Sequence, residues 1–291
     1  MRIDDTAHVA ETLAPPGRRY GFGTGALNLK GTESTRSVSI LEVSVKIIHY
    51  VRALGQIPVL LVLSQSPAAA QDGLRLLHKM QTALGGSERL AAIHDYEESV
   101  QAETLNNEGK PNGEVRKRTR WIKPNCLRLD QVGPDDTYVL YFDGKSGWEI
   151  LPDRSVLALV GDELKFAEKY LFGLRLKLWL ADRDSRYLVE SPATNVIRIS
   201  DQRNNANKLD ITLDPVSWLP VRQTDGSTET RLEQWSAVQG IQFPHRLSMI
   251  KDGATVAVIR VNKIELDQGL KRDQLDEKPQ DLKPVMAQKI P

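Results

Sequence analysis

Residues 118–150 read RTRWIKPNCLRLDQVGPDDTYVLYFDGKSGWEI, and their pattern decides the fold. Leu127 and Leu129 alternate with Arg128 and Asp130, the two-residue period of a strand with one apolar face. Residues 137–142 form a short run rich in aromatic and β-branched side chains, a second strand. Asp143-Gly144 then marks a turn before a short strand at 147–151 that carries Trp148. The GKSG at 144–147 resembles half of a phosphate loop. The full loop needs a glycine five residues before Gly144, and that place holds Val139, so a hairpin turn is the better reading.

Outward from this stretch the pattern stays strand-rich. Upstream, strands are expected at 94–105 and 115–122, joined through the polar Gly- and Pro-containing loop 106–112. Downstream, Leu164, Ala167, Leu171, Leu174 and Leu178 repeat at 3, 4, 3, 4, which predicts one long helix, with Phe166, Tyr170 and Trp179 widening its apolar surface. Strands resume at 187–190, 195–200, 208–213, 219–224, 228–236, 242–251 and 255–266. Leu209, Ile211 and Leu213 alternate with Asp210 and Thr212, a sheet with one wet face. Asp252-Gly253 is a hairpin signal, and the polar stretch 271–291 reads as an extended tail. The sum is an α+β chain, mainly antiparallel β, of about ten or eleven strands interrupted by one helix.

Before the strands lies a helix at 74–84, stopped by Gly85-Gly86, and then a short second helix that Ser87 can cap. Before that, residues 51–73 read VRALGQIPVLLVLSQSPAAAQDG. Basic Lys46, His49 and Arg52 precede an apolar run of about 11 residues, whose helical rise of roughly 16 Å is about half a hydrocarbon core. Small residues follow, with Ala68 and Ala70 placed as an A-x-A cleavage site. A buried helix of a globular domain is the alternative, but the order favours an export signal at 43–70. Val43, Val45 or Val51 can correspond to a GTG start. Residues 1–42 are then an upstream extension, either disordered or never translated, and the mature chain begins at about Gln71. GFGTG at 21–25 lacks the preceding strand and third glycine of a dinucleotide loop.

The net charge of +1 gives no bulk attraction to nucleic acid. The single cysteine, Cys126, excludes an internal disulfide. It lies far from the cleavage region, where a lipid-anchored product needs its first residue to be cysteine. A non-lipidated exported chain is therefore expected.

Few residues point to chemistry. The five histidines are scattered. His94, Asp95, Glu97 and Glu98 contain ligand types, yet strand alternation splits them between faces, and a solvated strand end is the bland reading. Cys126 reads as a packed residue. The Arg116-Lys117-Arg118 run with Arg120 reads as a solvated strand edge guarding against aggregation. No metal or organic cofactor is expected. An exported sheet with an unusually apolar helix points to a binding protein with a greasy interior. The competing reading is that these faces simply pack on each other.

The stretch 118–150 also resembles the LolA-like outer-membrane lipoprotein-sorting proteins. Lys123-Pro124 ends one strand, 126–132 forms the next, and Asp143-Gly144 with Trp148 matches a D-G-x-x-x-W hairpin. ALGGSERLAAI, LDPVSWLPVRQ and GIQFPHRL resemble longer members of the group, so the likeness covers most of 72–280. It implies an incomplete, half-open antiparallel barrel at 71–280 around a hydrophobic cavity, with a helical lid and a tail at 281–291. It also implies a periplasmic carrier of lipid or lipoprotein acyl chains, monomeric and non-catalytic, exchanging cargo with a membrane transporter and an outer-membrane acceptor. Alternation selects Trp121, Leu127, Leu129, Leu209, Ile211 and Leu213 as cavity lining, although a one-residue slip would select the opposite face. The helix 164–178 would be the lid. In the family an arginine before the proline latches the lid. Lys123 stands at that place and lacks the planar guanidinium fork. The alternatives are a cell-envelope scaffold with a filled core and, less favoured, a hydrolase whose residues meet only in space.

Overall fold

The computed structural model describes residues 67–106, 108–134 and 137–279. The expected extension at 1–42, nearly all of the export signal and the tail at 281–291 lie outside them. Helix α1 (Pro67–Leu84) contains the expected cleavage position, and α2 (Ser87–Ala92) follows. The N-cap of α2 is Gly86, with no side-chain cap hydrogen bond, so Ser87 is the first helical residue and not the cap. Gly85 and Gly86 have φ of +122° and +103°, a region open to glycine at little cost.

Among the described residues thirteen strands form one antiparallel sheet. In chain order they are β1 (Asp95–Leu105), β2 (Pro111–Ile122), β3 (Cys126–Val132), β4 (Thr137–Phe142), β5 (Gly147–Ile150) and β6 (Val156–Ala158). After the central helices come β7 (Tyr187–Ala193), β8 (Val196–Asp201), β9 (Asn204–Leu213), β10 (Pro220–Thr224), β11 (Thr228–Val238), β12 (Ile241–Lys251) and β13 (Ala254–Leu266). The spatial order is β6-β5-β4-β3-β2-β1-β13-β12-β11-β10-β9-β8-β7. The count exceeds the expected ten or eleven. One reason is that β6 is three residues long, too short to show a period.

The two edge strands, β6 and β7, are consecutive in the chain. The segment joining them holds α3 (Gly161–Phe172), α4 (Arg175–Trp179) and a 3₁₀ turn at Ala181–Arg183. These helices therefore connect one edge of the sheet to the other across its inner face. The single long helix expected at 164–178 is thus two helices. Gly173 ends α3, and Leu174 is extended, with φ −61° and ψ +126°.

Register sorts the side chains by face. Tyr96, Trp121, Leu127 and Phe142 stand opposite one another across β1, β2, β3 and β4, all facing inward. The adjoining outward row is Glu97, Arg120, Arg128, Tyr141 and Trp148. The inward residues join the apolar sides of α1, α3 and α4 in one core that also includes Ile197, Ile211 and Phe243. On the outer face a smaller cluster gathers Cys126, Val139, Tyr141, Trp148 and Ile150 under Leu275. Leu275 belongs to α5 (Arg272–Asp276), where an extended tail was expected. The Trp148 indole donates to Asp276 at 2.6 Å, and the Arg128 guanidinium donates to the Leu275 carbonyl at 3.0 Å.

Helix α1 rests on edge strand β7 through Gly73. A Cβ there would come within 2.5 Å of the Glu190 carbonyl carbon, so only glycine permits this approach. The crossing covers β7, where an open edge would otherwise offer unpaired backbone groups.

Candidate functional site

The candidate site is the apolar contact between the inner face and the α3–α4 cover. Trp121, Leu127, Leu129, Ile211 and Leu213 are buried on the inner face, and Leu209 is half-buried against the same core. From the cover, Ala167, Leu171 and Leu178 are buried, while Leu164 and Leu174 pack at its margin. The residues selected by alternation and those of the expected lid are therefore brought together. They are also packed tightly: Leu127, Leu129, Ile211, Ala167 and Leu178 each have 0% exposure.

Polar ties hold the cover to the sheet, and sequence reasoning missed most of them. Arg175, at the start of α4, forms a part-buried ion pair with Glu98 of β1 and donates to the Tyr96 hydroxyl at 3.2 Å. Burial works against the Arg175 charge, but the Glu98 carboxylate and Tyr96 more than offset it and leave the guanidinium pKa raised. Burial and the adjacent Glu98 push the Tyr96 phenol well above its ordinary value. Lys177 donates to the Pro124 carbonyl at 3.1 Å and to Asn125 Oδ1 at 2.9 Å. Burial, then the positive charge of Arg186, pulls its pKa down to about 8. Tyr170 of α3 shares a hydrogen bond with Thr119 at 3.1 Å, and Gln81 of α1 donates to the Trp179 carbonyl at 2.9 Å.

Lys123, the position matched to the family latch, donates to the Ala91 carbonyl of α2 at 2.7 Å. It fastens α2, while Arg175 and Lys177 fasten the cover. The missed signal was the pair of cations in R-L-K-L-W, set among leucines. Their partners are distant in the chain: Glu98 is 77 positions from Arg175.

The other sequence candidates are structural. Asp95 accepts backbone N–H groups from Gln268, Gly269 and Leu270 at 2.8–3.1 Å. Glu97 and Glu98 are taken by arginines. Among the described residues no cluster of His, Cys, Asp or Glu is arranged to hold a metal ion. Asp143 Oδ1 accepts from the Lys145 and Ser146 amides at 2.8 Å, closing a hairpin turn where half of a phosphate loop was weighed. Cys126 is buried, and burial raises its thiol pKa, which fits packing better than nucleophilic attack. The basic run at 116–120 is not an edge: β2 lies between β1 and β3. No described helix is long and apolar enough to cross a membrane.

No family profile matches the chain. No curated protein matches it either. Solved structures similar in fold include these three. An outer membrane lipoprotein-sorting protein domain from Vibrio parahaemolyticus is 11% identical, covering 71% of this chain and 97% of its own, with a TM-score of 0.47. A DUF1329 family protein from Desulfovibrio piger is 12% identical over the same shares, also at 0.47. A LolA superfamily protein from Nitrosomonas europaea is 15% identical, covering 72% of this chain and 98% of its own, at 0.46.

Proposed function

We propose that this protein is a non-catalytic periplasmic carrier that shelters acyl chains of lipids or lipoproteins between its inner sheet face and the α3–α4 cover. The observation that carries this reading is the cover itself. It is two short helices, lying on a continuous apolar face and tied to it by a few polar contacts, chiefly those of Arg175 and Lys177. Breaking those ties and moving the helices would open the face without disturbing the strand ladder. Moving the cover exposes apolar surface at about 25 cal/mol per Å². Each methylene that replaces it returns about 0.8 kcal/mol, so a chain of about sixteen carbons returns on the order of 12 kcal/mol. Delivery would need a membrane transporter as donor and an outer-membrane acceptor.

The test is the native mass of a C-terminally tagged protein expressed from its own upstream DNA and isolated from the periplasm. Expected are a chain starting at Gln71 and extra mass from bound lipid. Leu164→Asp and Leu209→Asp, at half-buried positions that tolerate change better than the core, should remove that extra mass while the protein stays folded. Lipid retained by both variants would refute the cavity assignment.

A second reading, an envelope scaffold with a filled interior, is favoured by the complete burial of Leu127, Leu129 and Ile211. It predicts the same export with no bound lipid in any preparation.

A further inference from the structure

A second site lies on the opposite face of the same strands. A cavity of about 490 Å³ opens there, lined by Arg116, Arg118, Arg120 and Arg128, with Asp130 and Pro279 among its other walls. Register explains the grouping. Arg116, Arg118 and Arg120 occupy alternate positions of β2; of the residues between them, Thr119 and Lys117 reach Tyr170 of the cover, and Lys117 also lines the cavity. Arg128 comes from β3, opposite Arg120.

The charges do not balance. Glu97 takes Arg118 in a two-point contact of 2.6 and 2.8 Å. Asp130 is shared: one oxygen accepts from Arg120 at 2.6 Å and the other from Arg128 at 3.0 Å. Four guanidinium groups thus meet two carboxylates. Arg116 is exposed and has no ion pair among the described residues. Arg120, whose side chain is only 14% exposed, keeps its Nε buried with no hydrogen-bond partner. A buried N–H left unmade is costly, and a bound acceptor would satisfy it. Guanidinium forks suit the oxygens of phosphate, and the uncompensated positive charge favours an anionic phosphate group.

We propose that this outer groove binds a phosphate-bearing ligand, with Arg116 and Arg120 as its principal contacts. The phosphate can come from a soluble phosphomonoester or from an anionic lipid headgroup, and Val132 and Pro279 give the groove apolar wall for the carbon part of either. The site is independent of the acyl-chain reading, since it lies on the other side of the sheet.

The experiment titrates the purified protein with glycerol 3-phosphate by calorimetry, and separately measures cosedimentation with vesicles of phosphatidylglycerol or of phosphatidylcholine, all in physiological salt. Binding of glycerol 3-phosphate that falls at least fivefold in Arg116→Gln, with unchanged thermal midpoint, supports a soluble ligand. Cosedimentation with phosphatidylglycerol alone, lost in the same variant, supports a headgroup. Arg116→Lys should retain part of the binding. Arg231→Gln, an exposed arginine on β11, should leave it unchanged. Absence of binding to every probe, or binding indifferent to Arg116→Gln, would overturn the proposal.

Discussion

Glu97 and Glu98 are neighbours on β1, and each holds an arginine, yet only one of the two arginines meets water. Glu98 faces inward to Arg175 of the cover, with side chains 12% and 14% exposed. Glu97, itself 11% exposed, faces outward to Arg118, which is 50% exposed. The pleat alone makes the difference: both carboxylates are largely buried, but one residue of displacement turns Glu97 to the outer face, where its arginine partner meets water. Buried pairs contribute little net stability when whole, but they cost a great deal when half is removed. Pairs open to water also contribute little, and they cost little when half is removed. The inner pair is thus a device for fixing where the cover sits, and the outer pair is one part of a charge balance on the surface.

The largest expected effect follows from the inner pair. Glu98→Gln leaves the Arg175 charge buried without its partner and should cost about 3–5 kcal/mol in urea unfolding. The double variant Glu98→Leu with Arg175→Met should recover most of that loss, because apolar replacements of similar volume suit the surrounding core. If the single variant loses under about 1 kcal/mol, the cover is not fastened as described, and the two pairs are equivalent.

Lys177 sharpens the same contrast through pH. Its folded pKa, about 8, is below the ordinary 10.5. Between those values the unfolded chain binds more protons than the folded one, so stability should rise as pH rises from about 8 to 10.5. The gain is of order 1–3 kcal/mol. Tyr141, raised to about 12 by burial and by neighbouring Cys126, works in the opposite direction above pH 10. There the unfolded phenol loses its proton first and stability falls. Cys126, whose thiol pKa is also raised from 9.0, begins to oppose the rise earlier, so a stability maximum between about pH 9 and 10 is expected. In Lys177→Met the rise from pH 8 should vanish while the fall above pH 10 persists. An unchanged rise would assign it to another group.

Much of this arrangement was legible in the sequence where local period and burial agree. Strands β3 and β4 coincide with the residues read from alternation and apolar runs. The inward set Trp121, Leu127, Leu129, Leu209, Ile211 and Leu213 indeed shares one face, although packing on a face is not evidence of a ligand. The helix 164–178 misled because its 3-4 spacing continues across Gly173 and Leu174. Glycine is about 1 kcal/mol less favourable than alanine inside a helix, and here it ends one. The partners of Arg175 were invisible because they are set by tertiary packing. The basic run on β2 was misread for a related reason: its composition suits an edge, and only the strand order puts it mid-sheet.

The smallest effect on stability belongs to the outer pair, and it carries the opposite sign for binding. Glu97→Gln removes one partner of a half-exposed arginine that water can still reach, so the loss should be about 1 kcal/mol or less. The same change releases the Arg118 fork toward the groove and leaves four guanidinium groups facing only the Asp130 carboxylate. Glycerol 3-phosphate or phosphatidylglycerol, whichever the groove accepts, should then bind more tightly than to the unaltered chain, while Glu98→Gln leaves that affinity unchanged. Calorimetry and urea unfolding on the two variants would separate the faces: one loses stability without a change in anion binding, the other gains anion binding at little cost. If Glu97→Gln weakens anion binding, Glu97 is orienting Arg118 for the ligand instead of competing with it, and the outer pair is part of the site.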